Sequence, residues 1–418
     1  MSNNDVRVVI VGGGFGGLSA AKILAKSSNI KITLIDKNNY HLFQPLLYQV
    51  AMAGLSPAEI AYPLRAVLAG HSNVDILLGT VNEVNKTEKW ISTETNKIAY
   101  DYLILACGST YTYFNSPQWE PFAPGLKTIP QATEIRRRVF LAFEKAEREN
   151  YPEAKAMYRT FVIVGGGPTG VELAGTLGEI TRYTMLKDFN HIRTYETKII
   201  LIEAGPRILP SMTPQLSDEA VRELGQLGVE VRVNTKVSVI NEKGIQAGDE
   251  FIESDTILWA AGVAANPLNK KLGIELDRQG RIIVKEDLTI PGHPEIFVIG
   301  DQAHYKWGEN NTPLPGLAPV AMQQGRFVAK HIKRLLINDG KFERFKYVDK
   351  GQMATIGRSR AVAMYKGLSF SGFVAWLAWL MVHIYYLIGF KNKIFVLFQW
   401  AWTYLTYRRG ARLIVEKE

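Results

Sequence analysis

Two short apolar runs, residues 8–11 and 161–164, each lead directly into three consecutive glycines and then into a stretch with helical spacing. This pattern predicts the order strand, tight turn, helix. The helices are expected over residues 18–26 and 171–181. A second apolar strand follows each unit: residues 30–35 ending in Asp36, and residues 198–202 ending in Glu203. The copies lie 153 residues apart, Gly12 to Gly165. A repeated unit of this kind predicts two nucleotide sites in one chain.

Each glycine cluster has the spacing G-x-G-x-x-G, through Gly12, Gly14 and Gly17 and through Gly165, Gly167 and Gly170. The first glycine permits the turn. The second admits a pyrophosphate to the backbone, and the third lets the helix pack on its strand. Asp36 lies 24 residues after Gly12, where an acid accepts from ribose hydroxyls. Glu203 is its counterpart, and its charge would repel a 2′-phosphate, which favours NADH over NADPH. Further strands are expected at 102–108, ending at Gly108, and at 256–262, ending at Gly262. Another, at 296–301, ends in Gly300-Asp301 and is expected to return to the first sheet. Asp301 would then stand at a strand's carboxyl end, where ligands bind in such sheets. Residues 134–149 and 151–156 read as helical.

The pattern changes at the end of the chain. Residues 370–390 are 21 positions without Asp, Glu, Lys or Arg. That length admits a transmembrane helix, but Trp376, Trp379, Tyr385 and Tyr386 lie within the run rather than at two interfacial belts. Lys391 and Lys393 follow, then residues 394–407, then Arg408, Arg409 and Arg412. The second run is amphipathic. Ile394, Leu397, Phe398, Ala401, Trp402 and Leu405 share one face, and Gln399, Thr403, Thr406 and Gly410 the other. Such a helix with basic flanks lies in the plane of an anionic membrane surface. The alternative is a pair of buried or dimer-interface helices.

Charge sharpens this. The net charge of +9 lies wholly in residues 341–418, which hold 13 Lys and Arg against 4 Asp and Glu; residues 1–340 hold 36 of each. A basic tail this apolar is no solvated nucleic-acid arm. At 418 residues and 47% hydrophobic content, two to three domains with ample core are expected. The single cysteine, Cys107, excludes a disulfide framework and a Cys-based metal site, and fits a reducing compartment. No signal peptide is read at the start. The expected fold class is α/β, with two Rossmann-like dinucleotide-binding domains and a C-terminal membrane-associating helical region.

The paired units and the Gly300-Asp301 strand resemble the glutathione-reductase-like flavoproteins. More specifically, residues 41–51 (HLFQPLLYQVA), 165–175 (GGGPTGVELAG) and 318–325 (APVAMQQG), with the apolar basic tail, resemble the type II NADH:quinone oxidoreductases. The resemblance runs over residues 7–412. It implies non-covalent FAD held by Gly12, Gly14, Phe15, Gly16, Gly17, Asp36, Lys37, Gln44, Val81, Ala106, Gly108, Gly300, Asp301 and Ala321. It implies NADH on Gly165, Gly167, Pro168, Thr169, Gly170, Glu203, Ala261 and Gly262, a quinone reached from the membrane, and no metal. It implies an FAD domain over 1–115 and 286–345, an NADH domain over 116–285 and membrane-anchoring helices over 346–418. It also implies a homodimer, peripheral on the cytoplasmic face of the cell inner membrane, without proton pumping.

Two residues stand out as catalytic. The resemblance places Glu172, in the first turn after Gly170, near both rings and near the quinone, where it would position the nicotinamide or relay a proton; the plain alternative is a carboxylate at a helix N-terminus. Gln323 would hydrogen-bond a quinone carbonyl. The family's first glutamine in that segment is replaced here by Pro319. His383 and Lys391 are further tunnel candidates, with surface snorkelling favoured for Lys391.

One absence stands apart from the resemblance. The disulfide-reducing branch carries a Cys-x4-Cys pair where this chain reads FQPLLY at 43–48. With Cys107 alone, neither that chemistry nor the thiol chemistry of sulfide:quinone reductases can run. Other NADH oxidases, ferredoxin or rubredoxin reductases, and a non-catalytic FAD-bound membrane sensor remain as alternatives. Deleting residues 346–418 is expected to discriminate, since a soluble redox partner needs no apolar tail.

Overall fold

The structure is a computed structural model and describes residues 5–308, 311–337 and 343–414. In chain order its main elements are β1 (Val6–Val11), α1 (Phe15–Leu24), β2 (Ile30–Asp36), α2 (Leu47–Ala51), β3 (Val74–Leu78), β4 (Tyr102–Leu105), α3 (Ile129–Arg148), β5 (Thr160–Val164), α4 (Pro168–Glu179), β6 (Lys198–Ile202) and α5 (Pro214–Gln226). There follow β7 (Val229–Arg232), β8 (Thr256–Trp259), β9 (Thr289–Ile290), β10 (His293–Val298), α6 (Ala318–Leu335), β11 (Gln352–Gly357), β12 (Arg360–Tyr365), β13 (Leu368–Ser371), α7 (Gly372–Tyr386) and α8 (Phe390–Thr406).

The chain forms two compact units. The first comprises residues 1–42, 61–110 and 263–348; the second comprises 43–60, 111–262 and 349–418. This division differs from the expected boundaries, because residues 43–60 and the whole tail cluster with the second dinucleotide unit.

In the first unit six strands run in the order β9-β10-β4-β1-β2-β3. The interior pairs are parallel, with β1 between β2 and β4, and β10 pairs with β4 through Ile296 and Leu103. The sequence expectation that residues 296–299 rejoin the first sheet therefore holds. Strands buried on both faces need continuous apolar runs, and Val8, Ile10, Ile32, Leu34 and Ile104 are inaccessible to solvent. Helix α6 lies on α1 at close range. A Cβ on Gly325 would come 2.2 Å from the Gly16 carbonyl oxygen, so only glycine allows this crossing.

In the second unit four parallel strands run β7-β6-β5-β8. A meander, β11-β12-β13, is added to it. It packs on α4, where a Cβ on Gly175 would fall 1.8 Å from the Ile356 carbonyl oxygen. The tail thus begins with a sheet built into the unit, and helices follow. Deleting residues 346–418 would strip the cover from α4, so that truncation does not test solubility cleanly.

Both glycine-loop helices start three residues before the expected positions. Gly14 and Gly167 are their N-caps, and Pro168, with its fixed φ, suits the first helical position. Helix α4 ends at Glu179 and passes into a π-helical turn, Ile180–Thr184.

The apolar run at 370–390 is split between β13, α7 and a bend at Gly389, whose φ is +88°. Among the described residues no helix is long and apolar enough to cross a membrane. Along α7 Ala375, Trp379 and His383 are buried, while Phe373, Val374, Leu377, Met381 and Tyr385 are exposed. Along α8 the apolar face read from sequence also points outward: Ile394, Leu397, Phe398, Trp402 and Leu405 are exposed, and only Val396 is buried.

Candidate functional site

The two glycine loops share one construction. In the first unit Asp36 accepts from the Gly13 N–H at 2.6 Å and from the Asn38 N–H at 2.7 Å. In the second, Glu203 accepts from the Gly166 N–H and the Gly205 N–H, both at 2.7 Å. Each acid therefore clamps its loop to the end of the second strand and retains lone pairs for a ribose. Burial raises the Asp36 carboxyl above its ordinary range, opposed by the Asn38 and Gly13 N–H bonds. Gly12 and Gly165 have φ of +107° and +108°, and a Cβ on either would collide with the backbone of the neighbouring strand end, at Ala106 and at Ala260–Ala261. A Cβ on Gly14 or Gly167 would meet nothing within 4 Å. The mouths of both loops are open, as a pyrophosphate cradle requires.

The remaining first-unit candidates converge at the same strand ends. Asp301 accepts from the Ser109 hydroxyl at 2.6 Å, Gly108 and Gly300 have positive φ, and Ala321 lies against Gly300. Lys37 is exposed beside Asp36, whereas the Val81 side chain is part of the core. Gln44 belongs to the second unit, where its amide donates to the Lys127 carbonyl at 3.2 Å. Sequence reasoning missed His41, Gln302 and Gln324. The His41 Nδ1 lies 3.0 Å from the Gly13 carbonyl, its ring stands edge-on to Phe15, and burial lowers its pKa to about 4. Gln324, buried in α6, accepts from the Gly300 N–H at 2.7 Å, and Gln302 accepts from the Cys107 N–H. Helical phase is the signal that separates Gln324 from its neighbour Gln323.

Gln323 itself is spent locally. Its amide donates to the Val348 carbonyl at 2.9 Å and accepts from the Val348 N–H at 3.0 Å, a strand-like pair that holds the chain after α6. Burial pushes the Cys107 thiol up to about 12, which leaves it protonated and unreactive.

In the second unit Pro168, Thr169 and Gly170 open α4, and Ala261 and Gly262 follow β8. Glu172 is half-buried, and burial holds its carboxyl well above the usual carboxylate range, with the Thr355 N–H pulling it partly back. About two helical turns further on, Glu179 accepts from Arg409 Nη2 at 3.1 Å, and both side chains are buried. Arg409 Nη1 donates to the Met52 carbonyl at 3.0 Å. The Tyr48 hydroxyl accepts from Gln49 at 2.9 Å, and Gln49 in turn accepts from the Trp400 indole at 2.8 Å. Burial raises the Tyr48 phenol far above its ordinary value, reinforced by the charge of Glu172. His383 is packed on Trp379, with its Nδ1 at 2.7 Å from the Trp379 carbonyl, and Lys391 is exposed over Phe395.

Two loop-and-acid clamps on two parallel sheets define an oxidoreductase of the two-dinucleotide class. A family described as pyridine nucleotide-disulphide oxidoreductase matches residues 6–325, and one described as NDH2 C-terminal domain matches 350–409. The chain is 43% identical to the type II NADH:quinone oxidoreductase Ndh of Mycobacterium tuberculosis, over 99% of its own length and 91% of the relative's. It is 42% identical to NdhA of the same organism, over 98% and 90%. The chain belongs to the type II NADH:quinone oxidoreductase family. In fold it is similar to a solved structure of NDH2 from Plasmodium falciparum in complex with NADH, with a TM-score of 0.87 at 22% identity over 99% of this chain and 100% of that one.

Proposed function

We propose that the protein carries out the reaction NADH + H⁺ + quinone → NAD⁺ + quinol at a membrane surface, with FAD as its bound cofactor. The observation that carries this reading is the duplicated clamp of acid on glycine loop, intact in both units. FAD is assigned to the first unit and NADH to the second. FAD, when bound, accepts a hydride and gives up two electrons. The protein's own part is to hold both nucleotides through loop N–H groups and ribose-binding acids. The exposed apolar faces of α7 and α8, flanked by basic residues, support a peripheral seat on anionic lipid on the cytoplasmic face, where a lipid-soluble acceptor is at hand. A homodimer is the family expectation.

The experiment is stopped-flow mixing with NADH, followed by steady-state NADH oxidation with quinones of different head groups, with and without anionic vesicles. Rapid bleaching of the flavin and quinone-dependent turnover raised by lipid are expected. A flavin that does not bleach would sink the enzyme reading.

Glu172 is proposed as the proton donor to the reduced quinone, because burial raises its carboxyl well above the usual carboxylate range and so favours the protonated form, which can donate where a carboxylate cannot. In Glu172→Gln the quinone half-reaction is expected to slow by roughly 10²-fold, with NADH bleaching retained. In the native protein the same step should slow as pH rises through the raised pKa of Glu172. A variant altered only in its KM for NADH would mean that Glu172 positions the nicotinamide.

A further inference from the structure

An exposed aromatic ring stands over the end of β8 in the second unit. Phe114 is 59% accessible, whereas its neighbour Tyr113 is buried. Tyr113 packs on Trp259 with ring centres 5.1 Å apart and donates its hydroxyl to the Ala123 carbonyl at 2.8 Å. Phe114 stays outside, on unusual backbone. Its φ is +52°, and that of Asn115 is +75°. Asparagine tolerates the left-handed region, but a phenylalanine there is strained. Strain of this kind gathers where a ligand is clamped.

The ring is held in place. The Trp259 indole N–H donates to the Thr112 carbonyl at 3.1 Å, and the Thr112 hydroxyl accepts from the Phe114 N–H at 3.2 Å. The Phe114 and Trp259 ring centres lie 6.1 Å apart, with their planes at 63°. Under the ring's tip is Gly262, where a Cβ would come 2.7 Å from Phe114 Cζ. The bare glycine lets the ring close down on the strand end. A Cβ on Gly165 would in turn lie 2.7 Å from the Ala261 nitrogen. Ring, strand end and glycine loop are therefore successive neighbours.

Strand order says which part of a dinucleotide comes this way. β6 and β8 flank β5 on opposite sides. Glu203, after β6, is the acid for the adenosine ribose, and the loop after β5 takes the pyrophosphate. The other half of the molecule then runs over the end of β8, toward Gly262 and Phe114. A fixed aromatic ring suits another flat ring, since stacked pairs gain more than their buried area alone. The cationic nicotinamide of NAD⁺ is drawn to an aromatic face as well.

We propose that Phe114 is a substrate-binding residue, its ring supporting the nicotinamide half of the dinucleotide. The proposal rests on the reading of the second unit as the NADH site, and it adds to that site a side chain lying 52 residues before the glycine loop, at Gly166.

The test uses the flavin-loaded full chain and two ligands, NAD⁺ and ADP-ribose, which lacks the nicotinamide. Each is titrated by calorimetry into the native protein, Phe114→Ala and Phe114→Tyr. The ring is largely exposed, so its removal leaves the core intact. Phe114→Ala is expected to raise the Kd for NAD⁺ about fivefold, the worth of one aromatic contact, and to leave the Kd for ADP-ribose unmoved. Phe114→Tyr keeps the ring and is expected to match the native protein for both ligands. An NAD⁺ Kd within twofold of native in Phe114→Ala, an equal rise for ADP-ribose, or a Phe114→Tyr as weak as Phe114→Ala would each overturn the assignment. A native protein that binds neither ligand defeats the NADH reading of the second unit instead, and this proposal with it.

Discussion

Gly170→Ala is expected to weaken NADH binding roughly 10²-fold, and reduction by NADH with it, while the flavin stays bound. A Cβ on Gly170 would lie 1.9 Å from the Gly165 carbonyl oxygen, which is backbone and cannot swing aside. Either the turn opens or the helix moves off its strand, and both misplace the N–H groups that face the pyrophosphate. Overpacking of this kind costs about 3 kcal/mol, or roughly 10²-fold in affinity. Gly17 is the mirror case, since its Cβ would also lie 1.9 Å from a carbonyl oxygen, that of Gly12. Gly17→Ala is therefore expected to lose the flavin first. Bound-flavin absorbance and NADH titration of both variants check the assignment of one nucleotide to each unit. Flavin lost from Gly170→Ala but retained in Gly17→Ala would reverse it.

Arg409→Ala is expected to destabilise the protein by about 3–5 kcal/mol, because it leaves Glu179 buried without its cation. Burial already raises the Glu179 carboxyl, with Arg409 the largest opposing influence. The variant also loses the bond to the Met52 carbonyl, which ties the end of the tail to the segment after α2. Replacing both members together, Glu179→Leu with Arg409→Met, should recover most of the loss, since no unpaired charge remains. Thermal unfolding of the single and double variants decides the matter. Equal destabilisation in both would show that the pair contributes only packing.

The two nucleotide loops were legible because their chemistry is local. Glycine spacing, an apolar strand and a terminal acid are all fixed within a few dozen residues, and Asp36 and Glu203 fall where that spacing puts them. The tail was legible as a surface-seeking element because amphipathicity is also a local property, and the apolar face of α8 does turn outward. Segment likeness carries no helical phase, and phase gives Gln324 the Gly300 N–H while Gln323 meets Val348. The strands β11–β13 were missed for a different reason. Their partner is the back of α4, opened by Gly175, and no pattern within 352–371 announces it.

By itself the sequence determined two dinucleotide units, a single cysteine and a basic, amphipathic end, because each follows from residue type and short-range period. The tertiary structure decided what those periods cannot encode. It built the tail into the second unit, and it joined Glu179 to Arg409 across 230 residues of chain. Contacts at such separations depend on how whole elements pack, and the only local traces of them here were a glycine on α4 and an arginine after α8.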